Sequence, residues 1–275
     1  MNSSHGGEPR EFTDRLGPLS SRRNARREHR LPLALSAGPA RWCYHRPVPA
    51  GHFLPELFTF FVELAAHNSR DWFQQHKARY ETVVRDPLLA FIEEFGPRLA
   101  AVSRHFRAAP RPVGGSLFRI QRETRFSRDK SPFKTHAGIQ FRHASASRDV
   151  HAPGFYIHLA PGQVFVARGI WRPNREALAA IREALVAKPA VWRRVRRTLD
   201  GRGFRLSGES LKTVPRAFDR EHPFAEDLKR KDLVTVREAS ESDACRPGFI
   251  DRVADAFEEM SPLASFVTRA VGLPW

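Results

Sequence analysis

The chain has 275 residues, of which 41% are hydrophobic, enough to bury a sizeable core, so disorder throughout is excluded. Lysine and arginine number 46 against 30 acidic residues, a formal charge of +16 whose field attracts polyanions and acidic ligands without naming one. The two cysteines, Cys43 and Cys245, lie far apart and in no Cys-x-x-Cys or Cys/His pattern, which argues against a disulfide framework and a zinc site. No apolar run approaches the roughly 20 residues of a membrane-spanning helix, so a soluble, cytoplasmic protein with no membrane association is expected.

Residues 1–50 combine scattered arginines (Arg22, Arg23, Arg26, Arg27, Arg30) with Ser, Gly and Pro and no hydrophobic period, which predicts a disordered basic extension. Its apolar stretch at 31–35 is short and broken by Pro32, a poor match to a signal peptide. A single α+β domain is expected over 51–275. Leu57, Phe60, Phe61 and Leu64 recur at helical spacing behind Pro55, predicting a helix over 55–66. After a turn at His67-Asn68-Ser69, the stripe Trp72, Phe73, His76 and Tyr80 predicts a second helix, interrupted at Pro87 and continuing toward Leu99.

Between Leu117 and Trp171 the pattern changes to short runs at 117–120, 137–142, 155–159 and 164–167, separated by turn residues such as Pro153-Gly154 and Pro161-Gly162. They read as a central antiparallel meander of about four strands flanked by helices. Helical patterns return at 174–187, 189–199, 246–259 and 262–270. Strand alternation puts Ile139, Phe141, Phe155, Ile157 and Leu159 on one face and Gln140, Arg142, Tyr156 and His158 on the other, with Arg119 and Gln121 alternating out beside the polar set.

The densest polar segment is 119–136, which places six cationic side chains (Arg119, Arg122, Arg125, Arg128, Lys130, Lys134) and His136 on a strand and the loop after it. Guanidinium groups grip phosphate or carboxylate through a planar fork, whereas lysines act as mobile point charges. The bland alternative is a solvated loop whose Glu123 and Asp129 pair with neighbouring arginines. With Arg142, Arg168 and Trp171 bordering the polar sheet face, these residues form a candidate floor and rim for a ligand; the alternative is an ordinary solvated face with His158 a structural histidine. His143, His151 and His158 lack ligand spacing, and no hydrolase elbow, P-loop or dinucleotide fingerprint occurs, so neither a metal nor a cofactor is indicated. Arg193, Arg194, Arg196 and Arg197 form the exposed side of an amphipathic helix with Val191, Trp192, Val195 and Leu199.

The segments 70–81 (RDWFQQHKARYE) and 125–136 (RFSRDKSPFKTH), followed by 153–158, 169–173, 215–218 and His222-Pro223, resemble the bacterial and fungal family known as domain of unknown function 2461. The resemblance runs from about Phe53 to the C-terminus. It implies a shared fold and site but transfers no reaction, because that family has no established activity. His67 and Phe133 depart from the family's usual asparagine and tyrosine, and the second departure removes a phenolic hydroxyl.

Three functions remain open on the sequence. A binding domain would hold a small anionic ligand, favoured over nucleic acid, on Arg119, Arg125, Arg128, Lys130, Lys134, Arg142, Arg168 and Trp171. An enzyme acting on a phosphorylated or carboxylate substrate would use His136, His158 or Tyr156 for proton transfer. An interaction module would dock an acidic protein partner on the cationic loop.

Overall fold

A computed structural model describes residues 51–146, 149 and 151–275; the basic extension expected at 1–50 lies outside the described residues. Helix α1 (Pro55–Ala66) starts where expected, with Pro55 in its first turn and Leu57, Phe58, Phe60, Phe61 and Leu64 buried. Ser69 caps α2 (Arg70–Gln75) by accepting from the Trp72 N–H at 3.3 Å. The chain continues through α3 (Lys77–Tyr80) and a widened turn, Glu81–Arg85, into α4 (Asp86–Val102). The break expected at Pro87 falls instead on that widened turn, and Pro87 occupies the first turn of α4, where its missing N–H costs nothing.

The sheet has strands β1 (Phe106–Arg107), β2 (Ala137–His143), β3 (Gly154–Ala160), β4 (Gln163–Ile170), β5 (Leu206–Ser207) and β6 (Leu233–Ala239). All pairs are antiparallel, in the order β1-β2-β3-β4-β6-β5. The meander β2-β3-β4 is the one predicted. The first expected strand, 117–120, is not one: it touches β2 through an isolated Leu117–Ile139 bridge, while β1 takes the end of that edge. Periodicity assigns nothing over 200–245, where β5, α7 (Ala225–Leu228), β6 and α8 (Glu241–Cys245) lie. The run Leu233-Val-Thr-Val that begins β6 is too short for a period to emerge.

Helices α5 (Arg175–Ala187), α6 (Pro189–Gly201), α9 (Phe249–Glu259) and α10 (Ser261–Ala270) fall on the predicted segments. Asn174 caps α5 through the Ala177 N–H at 2.8 Å. One sheet face carries Ile139, Phe141, Phe155, Ile157, Leu159, Val164 and Val166 into a core shared with α1, α4, α9 and α10. Phe95 stacks on Phe141 with ring centres 5.0 Å apart, and Phe257 meets Phe155 edge-on at 4.7 Å. The opposite face carries a smaller apolar cluster, Phe165, Ala167 and Val234, with Tyr156, Trp171 and Val236 packed against it. Among the described residues no helix is long and apolar enough to cross a membrane.

Candidate functional site

The cationic segment is a hairpin-like excursion laid along the outer edge of β2. The Phe118 N–H donates to Gly138 O at 2.9 Å and the Gln140 N–H to Ser116 O at 2.8 Å, so backbone groups of 116–118 are satisfied without a full ladder. A stem follows, in which the Arg122 N–H donates to Pro132 O and the Lys134 N–H to Ile120 O, with Gln121 bridged to Phe133. Residues 123–131 form the tip beyond this stem.

Asn68, in the turn between α1 and α2, holds the stem. Its Nδ2 donates to Phe133 O at 3.0 Å and its Oδ1 accepts the Phe133 N–H at 3.1 Å, so one amide side chain satisfies both backbone groups of a buried residue. The Phe133 ring stacks on Phe73 with centroids 4.2 Å apart. Its place is therefore in packing, and the departure from tyrosine leaves the stem intact. Two residues 65 positions apart in sequence thus meet at one clamp.

At the tip the paired-charge alternative is realised. Arg125 grips Glu123 with two bonds, Nε to Oε1 at 2.8 Å and Nη2 to Oε2 at 3.0 Å, and Arg122 donates to Asp129. Asp129 also accepts from the Ser131 N–H and hydroxyl, and Lys130 Nζ donates to Thr124 O at 2.9 Å. Arg125, Arg128 and Lys130 stand exposed around Phe126, itself 80% exposed. They stand on the tip, beyond the stem that carries Lys134.

Lys134 and Arg142 converge on the ring of Phe118, 5.5 and 5.8 Å from its centre. Lys134 Nζ also donates to Arg119 O at 3.0 Å, and Arg142 Nε to Gln140 Oε1 at 2.9 Å. Phe118 lies 6.0 Å from the Tyr156 ring, and both rings crowd Gly138, where a Cβ would come within 2.9 Å of each side chain. Glycine at 138 is what lets them close over β2. Tyr156 Oη and His158 Nδ1 share a hydrogen bond of 3.1 Å; the His158 ring stacks on Phe165 and lies 4.6 Å from the ring of His136. Phe118 and Gly138 were hidden in the sequence because neither carries a titratable group.

Neither imidazole has an ordinary proton affinity. Burial, then the charges of Lys134 and Arg122, push His136 down to about 4. Burial and then His136 hold His158, which is fully buried, well below its usual value. Both are neutral at pH 7. The unfolded chain takes up a proton at His136 below pH 6.5, whereas the folded chain resists it until about pH 4. This contribution to stability is therefore complete above pH 6.5 and lost as pH falls, by about 2–3 kcal/mol between pH 7 and pH 4.5. Urea unfolding at the two pH values should show that His136→Gln loses less stability on acidification than the natural chain, by about that amount.

Two remaining predicted residues separate. Trp171 packs at the end of the second-face cluster with its carbonyl 3.2 Å from His151 Nδ1 and the Arg172 guanidinium 4.9 Å from its ring, so it borders this face as expected. Arg168 does not. It pairs with Phe155 across β3–β4, so it shares the core face with that residue; Arg168 is 1% exposed, its guanidinium 3.8 Å from the centre of the Phe155 ring. The expectation that it borders the polar face is corrected by strand parity: residues 164, 166 and 168 point the same way.

Residues 56–266 match the model of the family described as a conserved hypothetical protein (DUF2461), which is most of the chain and includes the α1–α2 turn, the stem and the sheet. The chain belongs to this family. Its family description names no activity. Comparison with the curated proteins and with solved structures finds no match. The Asn68 clamp, the Lys134–Arg142 pair and the two histidines all lie within the matched residues.

Proposed function

We propose that this DUF2461 domain binds a small anion of the phosphate or carboxylate class where the 116–136 segment meets the outer sheet face. Lys134 and Arg142 supply charge, and His136, Tyr156 and Gln140 supply neutral hydrogen-bond donors. Arg119 borders this set, while Arg125, Arg128 and Lys130 at the tip contribute long-range attraction. The observation that supports it most is the state of His136, a partly buried imidazole whose proton affinity is lowered first by burial and then by the neighbouring charges of Lys134 and Arg122. A bound anion offsets that positive potential and raises the pKa of His136.

The test follows the His136 imidazole by NMR during a pH titration with and without inorganic phosphate. Saturating phosphate is expected to raise its pKa by at least one unit, and Lys134→Ala to weaken phosphate binding about tenfold. An unchanged pKa at every phosphate concentration overturns the reading. A second reading, catalysis on such an anion, is favoured by the Tyr156–His158 hydrogen bond, which joins a phenol to an imidazole within reach of proton transfer. It requires that His158→Gln keep phosphate binding while abolishing turnover of a phosphate ester. Docking of an acidic protein partner would instead centre on Phe126 and the tip cations.

A further inference from the structure

The core face contains a second unusual group, on the far side of the sheet from the phosphate site. Arg168 is a buried cation with no acidic partner among the described residues; burial alone drives its proton affinity down. Its Nη1 is satisfied, donating to Phe257 O and, at 2.7 Å, to Ser261 Oγ at the α9–α10 junction. Its Nε and Nη2 are buried with no hydrogen-bond partner. Those two N–H groups form one edge of the guanidinium, the side-on fork whose spacing matches the two oxygens of a carboxylate. The planar faces are covered by Phe155 at 3.8 Å and Trp275 at 4.6 Å, so a partner for this edge would lie in the guanidinium plane, which suits a flat carboxylate better than a tetrahedral phosphate.

Two hydroxyls accompany the fork. Thr235 is the direct cross-strand partner of Arg168, on the same face, and its Oγ1 is buried without a partner. Thr268 lies seven residues, or two turns, after Ser261 on α10, the helix that packs on β4 and β6, and its Oγ1 is also buried and unpartnered. Phe155 is fully buried whereas Trp275, against the guanidinium as well, is partly exposed, so the Trp275 side lies nearer solvent.

We propose that Arg168 anchors an interior site for a small carboxylate, whose two oxygens accept from Nε and Nη2 and whose neighbourhood is completed by the Thr235 hydroxyl. The full chain is titrated with [1-13C]acetate at constant ionic strength, following the carboxylate resonance, and the same titration is run on Arg168→Lys, which keeps the charge and removes the fork. Saturable binding that weakens at least about tenfold in Arg168→Lys and survives in Lys134→Ala is expected. Thr235→Val, which removes only a hydroxyl, serves if the lysine variant does not fold and should weaken binding about threefold. Absence of saturable acetate binding, or equal affinity in the natural chain and these Arg168 and Thr235 variants, overturns the proposal. Loss in Lys134→Ala alone overturns it too, by assigning acetate to the other face.

Discussion

Replacing Asn68 with alanine should destabilise the protein by about 2–4 kcal/mol and detach the stem that carries the cations. The physical cause is double: the Phe133 N–H and C=O both lose their partner, and Phe133 is buried, so water cannot take over without unstacking it from Phe73. Tryptic cleavage after Arg125, Arg128 or Lys130 should accelerate before global unfolding, because local opening frees the tip first. Asn68→Asp separates the two bonds. It keeps an acceptor for the Phe133 N–H and loses the donor to its carbonyl, so its loss should be about half that of Asn68→Ala, read from urea unfolding midpoints. If both variants unfold like the natural chain, the clamp contributes nothing.

The second large effect concerns the end of β4. Gly169 sits at φ +135°, a backbone conformation that residues with a Cβ avoid, and an added Cβ would fall 2.0 Å from the carbonyl oxygen of Leu233. Only the backbone of β6 could move away, and that would break the β4–β6 ladder at its Gly169–Val234 pair. Gly169→Ala should therefore cost about 3–5 kcal/mol, combining strain with overpacking. Trp171 and Arg172 follow immediately, with the Arg172 N–H held by Asp232 Oδ1 at 2.7 Å, so the variant should also shift tryptophan fluorescence in the folded state. A melting temperature within a degree of the natural chain would contradict this account.

Much of this architecture is legible from periodicity. Leu57, Phe60, Phe61 and Leu64 specify the buried side of α1, and the alternation of Ile139, Phe141, Phe155, Ile157 and Leu159 specifies the inner face of the meander. Arg168 shows where the method misleads. Parity along Val164, Val166 and Arg168 points to the core, yet a cation there runs against the rule that unpaired charges stay at the surface. His158 is the converse case, a polar residue on the correct face whose full burial depends on Phe165 and His136 closing around it.

The site is only partly readable for a different reason. Cation density draws attention to 119–136, but which cations face the sheet depends on where the stem ends, and that is fixed by Asn68, far away in sequence and unremarkable within a turn. The pairing of Arg125 with Glu123 and of Arg122 with Asp129 is a short-range event that any reader of the sequence could list as an option. The convergence of Lys134 and Arg142 on Phe118 depends on three segments meeting, and no local pattern encodes it.

The Asn68–Phe133 clamp also orders events in time. A contact spanning 65 residues closes a long loop of chain, and such contacts form after local helices and hairpins have already condensed. The meander can pair before the helical hairpin docks, with the stem held by its own backbone bonds and by 116–118 on β2, but the Phe133 N–H and C=O lack their partner until Asn68 arrives. The backbone groups of Phe133 are thus satisfied only once a residue from the helical hairpin has docked against the stem.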